Sequence, residues 1–266
     1  MKHTQAPTLR LLVVSDTHSI WPYGPHAPAP EAEMFIHCGD LTQAGDLASF
    51  KRAIADIKTI DTPLKLIIAG HHDVNLDEAW VSKNMGDEAE LDEHRECVKY
   101  MKAQEEFGIH YLDEGVHEFE VKNGKSLRVY ASPYTPESNE YAFAYGKAED
   151  RFNLGASRIP EGVDIVMTHG PPNFSGQKYF SGKKECRLDA NKEGEHLGCE
   201  KLASAIRRVK PALHCFGHVH EGRGSVWLDW EKDETSRAIR TRARGTLFVN
   251  GAVDDGFGSW LIDIEI

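Results

Sequence analysis

The sequence predicts an α/β fold, and three observations carry the prediction. Short apolar runs recur along the chain, each bounded by glycine, proline or a polar residue. Between two of them, Leu47, Phe50, Ile54 and Ile57 recur at helical spacing, so strand, helix and strand alternate. The apolar runs also end repeatedly in Asp or His, which is where open α/β sheets place their ligand sites. Read from the residues, one α/β domain of two or three layers spanning 1–266 accounts for the whole chain. Its 266 residues are ample for a sizeable core.

Residues 9–15 read as a first strand that ends at Asp16-Thr17-His18. A proline-rich stretch, residues 21–30, follows as irregular surface loop. Residues 33–38 form a second strand running into Gly39-Asp40. Asp46 is the expected N-cap of the next helix. Pro63 breaks the chain before a third strand, residues 64–69, which delivers Gly70-His71-His72-Asp73. Residues 87–107 are charged and helical in pattern, with an acidic face turned to solvent. Residues 116–121 and 126–131 alternate and join through Asn123-Gly124, a hairpin signal.

Residues 163–167 are a strand that delivers Thr168-His169-Gly170. Residues 174–195 are rich in Gly, Lys and Glu and read as an exposed loop bordering the site. Tyr179 and Phe180 within it are candidates for stacking on a base, a plain loop role being the alternative. A helix over 197–209 puts Leu202, Ile206 and Val209 on one face, and Pro211 ends it. Residues 212–216 lead into Gly217-His218-Val219-His220, and residues 225–229, 246–250 and 260–264 are strand-like.

Composition excludes several functions. Hydrophobic residues make up 40% and charged residues 27%, an ordinary globular balance. There is no run of about 18 apolar residues, so no membrane span is expected. The first apolar run is too short for a signal peptide, which makes a cytoplasmic protein the expectation. The net charge of −11, without a long basic cluster, argues against a protein that grips a long nucleic acid. A small phosphate ester is compatible, because bound metals supply local positive charge. Five cysteines without a C-x-x-C read as reduced thiols.

Five strand ends carry Asp16 and His18; Asp40; His71 and His72; His169; and His218 with His220. In D-x-H and H-x-H, positions i and i+2 of an extended segment face the same way and can share a site. Five such clusters on apolar strands point to a shared metal centre. Two divalent ions about 3.5–4 Å apart polarise a phosphoryl group and hold a nucleophilic hydroxide. Asp40 suits a bridge, having two oxygens and a charge, while neutral imidazoles fill the other positions. A histidine outside the metal set, His72, can protonate the leaving group. His37 and His214 sit inside strands and are expected to be core residues with satisfied hydrogen bonds. His3, His26, His94, His110, His117 and His196 show no metal spacing.

The series D-x-H, G-D, G-H-H-D, H and G-H-x-H over residues 16–220 resembles the calcineurin-like metallophosphoesterase superfamily. Residues 159–172, 197–200 and 216–222 resemble its metallophosphoesterase-domain-containing, brain-type branch, which is similar to class III cyclic nucleotide phosphodiesterases. The resemblance implies a four-layer α-β-β-α sandwich of two mixed β-sheets flanked by helices, with a two-metal site at the strand C-terminal ends. It implies that Asp16, His18 and His220 hold one metal, that Asp40 bridges, and that His169 and His218 hold the second. His71 stands where the family has asparagine, and His72 matches the family's catalytic histidine. The implied cofactors are two divalent ions, Mn, Fe or Zn rather than Mg. A ligating His71 would move preference toward Zn, Fe or Ni.

A phosphodiesterase acting on small phosphodiesters or cyclic nucleotides is the expected function. Two divalent ions less Asp16, Asp40 and a hydroxide leave a net charge of about +1, which matches a diester monoanion. Rival readings are a phosphomonoesterase, a metal- or nucleotide-binding scaffold with an altered second site, and a DNA exonuclease. A protein phosphatase is disfavoured because Gln43 and Ala44 stand where those enzymes carry the supporting Asp and the phosphate-clamping Arg. Arg223 and Asn250 are candidate substrate contacts, with a surface role and a structural turn as their respective alternatives. Oligomeric state is left open.

Overall fold

The structure, a computed structural model, describes residues 8–137, 141–175, 186–230, 245–253 and 258–265. Tyr179, Phe180 and His3 lie outside the described residues. The first sheet contains β1 (Thr8–Val14), β2 (Met34–His37), β3 (Leu64–Ile67), β4 (Ile109–Tyr111) and the distant β13 (Trp260–Glu265), in the order β13-β1-β2-β3-β4. Only β13 runs antiparallel to its neighbour within it. Three helices accompany it: α1 (Leu47–Lys58), α2 (Glu78–Asn84) and α3 (Glu88–Lys102).

The second sheet begins with the hairpin β5 (Gly115–Val121) and β6 (Lys125–Ser132). A two-stranded ribbon, β7 (Thr135–Pro136) and β8 (Ala144–Tyr145), lies beside it in sequence. β9 (Ile165–Thr168), α4 (Glu200–Val209), β10 (Leu213–Phe216), β11 (Gly224–Asp229) and β12 (Gly245–Asn250) complete it, in the order β11-β12-β10-β9-β6-β5. Its central strands β6, β9, β10 and β12 are parallel and its two edges are antiparallel.

Strand alternation explains the layering. Leu9, Leu11 and Val13 of β1 share one apolar cluster with Met167 of β9, Cys215 of β10 and Val249 of β12, so the two sheets pack face to face. Leu12 and Val14 point the other way and meet Phe50, Ile54 and Ile57 of α1 with Cys97 and Met101 of α3. On the far side, Val166, Phe216 and Phe248 cover Leu202, Ile206 and Val209 of α4. The result is the four-layer α-β-β-α sandwich of two mixed β-sheets that the family resemblance implies, where the residues alone suggest two or three layers. Buried faces on both sides of a strand show that each face is covered, without showing whether a helix or a second sheet covers it.

Local signals set the element boundaries. Asp46 caps α1 by accepting the Ser49 N–H at 2.9 Å. The helix expected over 87–107 stops at Lys102, because the chain must turn to deliver β4 beside β3. Gly108 makes that turn at φ 68°. α4 starts at Glu200 rather than 197: the Cys199 thiol caps it, and Gly198 lies too close to the Pro172 carbonyl for a side chain. The loop expected to be exposed over 174–195 is corrected in part: Phe174, Cys186, Leu188, Asp189 and Ala190 are buried, while Ser175, Arg187 and residues 192–195 are exposed. His37 and His214 are fully buried in the strands as expected, but each is satisfied at one nitrogen only.

Candidate metal centre

The parallel strands bring the Asp and His clusters to one edge. Val14 pairs with His37 and His37 with Ile67, so β1, β2 and β3 end side by side. Cys215 pairs with Met167 and Phe216 with Asn250, so β9, β10 and β12 end together as well. Ser15 pairs with Ala252, and His169 Nδ1 donates to the Cys38 carbonyl at 2.9 Å, which joins the two edges. The strand-end loops then bend sharply. Asp16 (φ 57°), His18 (φ 44°), Asp40 (φ 54°) and His218 (φ 70°) all sit in the left-handed region. Each such non-glycine residue costs on the order of 1 kcal/mol, and strain of this kind clusters at functional sites. Gly70 and Gly217 are needed there: a Cβ on Gly70 would strike Asp40 and the His169 ring, and one on Gly217 would strike Asp16 and Ser15.

Two donor triads result. Around Asp16, His220 Nε2 lies 3.4 Å from Asp16 Oδ1 and 3.3 Å from His18 Nε2. In the second triad, His71 Nδ1 lies 2.8 Å from His169 Nε2 and 3.2 Å from His218 Nδ1. Asp40 stands between them, with Oδ2 3.7 Å from His18 Nε2 and 3.1 Å from His71 Nδ1. Donor atoms about 2.0–2.1 Å from one tetrahedral zinc are about 3.4 Å from each other, so the spacing fits shared cations.

Electrostatics point the same way. Burial, reinforced by neighbouring imidazoles, pushes His71 far below the usual histidine range. Burial holds His169 at about 3 and also lowers His18 and His218. These rings are therefore neutral, so their short distances to Asp40 are not ion pairs. Burial, then Asp16 and Asp73, push the Asp40 carboxyl well above the usual range. Burial raises Asp16 too, but a hydrogen bond to His220 and the nearby imidazoles outweigh it and leave Asp16 lowered. Asp40 Oδ2 and His18 Nδ1 are buried with no hydrogen-bond partner. Orphaned buried acceptors carry a large desolvation cost unless a cation serves them. The donor set, N and O atoms with one carboxylate shared, fits two divalent ions.

His72 lies at the edge of this cluster. Its backbone N–H donates to Asp40 Oδ1 at 2.9 Å, and its ring Nδ1 donates to the Gln43 backbone carbonyl at 3.1 Å. Gln43 thus orients the ring through its main chain. The ring also comes within ligand reach of His18 and Asp40. Tyr141 packs edge-on to His71 and tilted against His72, with centroids 4.8 Å away in each case. A cleft of about 940 Å³ opens over the cluster, lined by His18, His71, His72, His218 and His220, and continues past Tyr145 to His196 and Lys201.

The structure does not bring Arg223 or Asn250 to this cleft. The Arg223 guanidinium donates to the Ala252 and Gly258 carbonyls. Asn250 is fully buried, and its amide donates to the Leu188 and Val219 carbonyls, holding the G-H-V-H loop against the 186–190 segment. Sequence reasoning also missed Asp73. This buried carboxylate accepts from the Leu41, Thr42 and Gly70 N–H groups and from the Thr42 hydroxyl, tying the loop after β3 to the loop after β2. Its charge directly after two histidines was the available signal.

An α-β-β-α sandwich with an Asp/His triad and an all-His triad on either side of Asp40 at its strand ends has a metallophosphoesterase-type fold. The chain belongs to the calcineurin-like phosphoesterase family, whose model matches residues 9–222. It is 31% identical over 230 residues to human metallophosphoesterase domain-containing protein 1, covering 81% of this chain and 61% of that protein. It is 28% identical over 232 residues to the probable rhamnogalacturonate lyase C of Emericella nidulans, covering 86% of this chain and 19% of that protein. The chain therefore spans a fifth to three fifths of the length of these relatives. The crystal structure of TT1561 of Thermus thermophilus has the same fold, with a TM-score of 0.53 at 12% identity over 91% of this chain and 89% of that one. No helix among the described residues is long and apolar enough to cross a membrane.

Proposed function

We propose that this chain is a metal-dependent phosphoester hydrolase that prefers small phosphodiesters, cyclic nucleotides among them. The observation that carries this reading is the pair of donor triads meeting at Asp40. Asp16, His18 and His220 would hold one ion, His71, His169 and His218 the other, and Asp40 both. Divalent ions bound there supply Lewis-acid polarisation of the phosphoryl group and lower the pKa of water. The chain's own residues do the rest. Asp73 fixes the loop that carries His71 and His72. The Gln43 carbonyl holds His72 by Nδ1–H, so the doubly protonated ring would give its Nε2 proton to the departing alkoxide and be left neutral.

The diester preference rests on charge. Two dications balanced by Asp16, Asp40 and one hydroxide leave about +1, enough for a monoanion but short of a monoester dianion. Burial holds the His71, His169 and His218 rings neutral, so these three add no positive charge. The test is hydrolysis of bis(p-nitrophenyl) phosphate and p-nitrophenyl phosphate by protein loaded with Mn, with Zn or with no metal. Metal-dependent cleavage, faster on the diester, is expected. Absence of hydrolysis with every metal would overturn the reading.

A further inference from the structure

The segment that carries His71 and His72 closes back on its own rings through Tyr141. After Asp73 the chain makes a single turn, Val74–Leu76, and reaches Asp77, the N-cap of α2. Asp77 Oδ1 accepts the Ala79 and Trp80 N–H groups, while Oδ2 accepts the Phe143 N–H at 2.7 Å. The Phe143 carbonyl in turn accepts the Thr135 N–H at 2.9 Å. Ala142 and Phe143 are buried in the apolar cluster that also holds Val74 and Leu76. Phe143 is held at φ 52°, a left-handed conformation that costs a non-glycine residue on the order of 1 kcal/mol. Two residues before it, the Tyr141 ring packs against the rings of His71 and His72, with centroids 4.8 Å from each.

His72 needs such a neighbour. Among the described residues its ring has one hydrogen bond, from Nδ1 to the Gln43 carbonyl. A single bond fixes one atom and leaves the ring able to swing about it. The His18 and His71 rings, with centroids 4.9 and 4.4 Å away, belong to the two donor triads and are turned to the ions in the reading above. Tyr141 belongs to neither triad, and among the described residues its hydroxyl has no hydrogen-bond partner, so its contacts are those of the ring. We infer that Tyr141, anchored through Phe143 and Asp77, is a positioning residue that holds the His72 ring in the orientation from which it gives up its proton. This rests on the phosphoesterase reading above. Tyr141 also lines the cleft, so direct contact with substrate is the competing role.

Steady-state kinetics of the Mn-loaded protein on diphenyl phosphate and bis(p-nitrophenyl) phosphate, with metal content measured for each variant, separates the two roles. Tyr141→Ala should lower kcat for diphenyl phosphate about tenfold, a part of the roughly 10²–10⁴ that a positioned general acid supplies. KM should move by less than about twofold, and two ions should remain. The loss should be smaller for bis(p-nitrophenyl) phosphate, whose leaving group has less need of a proton. Tyr141→Phe, which keeps the ring, should restore kcat. In a His72→Ala background Tyr141→Ala should cost nothing further, because the two act as one unit. A kcat within about twofold of wild type, a change in KM alone, loss of an ion, or a loss that persists in the His72→Ala background would overturn the inference and leave the phosphoesterase reading standing. A nuclear Overhauser contact between the Tyr141 and His72 rings of the metal-free protein reads the packing without any hydrolysis, and its absence would overturn the inference as well. If the wild type cleaves neither diester with Mn or with Zn, the phosphoesterase reading falls and takes this one with it.

Discussion

His71 Nδ1 lies 2.8 Å from His169 Nε2 while His169 Nδ1 is committed to the Cys38 carbonyl. His218 Nδ1 and Asp40 Oδ2 crowd the same His71 nitrogen at 3.2 and 3.1 Å. One proton on His71 can serve one of these three acceptors, whereas a cation serves all of them. This crowding supports our proposal that His71 is a ligand, although its family position is held by asparagine. His71→Asn should exchange a nitrogen donor for an oxygen donor and move metal preference from Zn toward Mn. Metal analysis after dialysis against an equimolar Zn and Mn mixture measures this. An unchanged Zn to Mn ratio would show that His71 does not ligate.

If Asp40 serves both ions as proposed, Asp40→Asn should lower bound metal from two ions toward one or none. The second ion should be lost first on titration with a chelator. Inductively coupled plasma spectrometry of the purified variant gives the stoichiometry. Two tightly held ions in the variant would remove Asp40 from the bridge.

His72→Ala should reduce kcat for diester hydrolysis by about 10²–10⁴, the usual worth of a positioned general acid. Metal content should stay at two ions. A loss of metal instead of turnover would place His72 among the ligands, which its proximity to His18 and Asp40 allows. The drop should be smaller for p-nitrophenolate, a good leaving group, than for an alkyl alcohol.

Asp73→Ala strips acceptors from three backbone N–H groups and one hydroxyl. Each stranded buried donor costs about 1–3 kcal/mol, so a loss of about 3 kcal/mol or more is expected. Denaturant unfolding of the metal-free protein separates this from metal binding. A change below about 1 kcal/mol, the low end of that range, would show that the two loops hold without the carboxylate.

Acid stability should reflect His37 and His214, which burial pushes down to about 3. The Thr168 hydroxyl donates to the Gly170 carbonyl, so His214 must donate to Thr168 through Nε2 and leave Nδ1 bare. Below about pH 6.5 the unfolded chain takes up protons at both rings that the folded chain refuses. Their contribution is whole above that pH and is lost as pH falls toward 3. The slope is about 1.4 kcal/mol per pH unit for each ring. Unfolding free energies at pH 7, 6, 5 and 4.5 measure it. His214→Asn should make the slope shallower by one ring's share, and an unchanged slope would refute the assignment.

The local grammar of this chain was legible without coordinates. Asp46 as a cap, Pro63 and Pro211 as breaks, and the strand positions all follow from short-range sterics and hydrogen bonding. The strand-end clusters were legible too, because a polar residue directly after a buried apolar run has to leave the sheet. Side-chain direction was not. Arg223 and Asn250 lie near the right loops, but their donors turn to backbone carbonyls that only the packed chain brings within reach.

The sequence by itself determined the elements, the strand-end positions of Asp16, His18, Asp40, His71, His72, His169, His218 and His220, and the family they resemble. Those are properties of residue type and spacing within a few positions. Only the tertiary structure decided which side chains the two sheets share between them and at what distances the two triads meet Asp40. It alone also placed Asp73 as the tie between loops and Tyr141 against His72. Each of these depends on packing segments that are distant in the chain or folding back a turn, and the spacing of residue types carries no record of the distances that result.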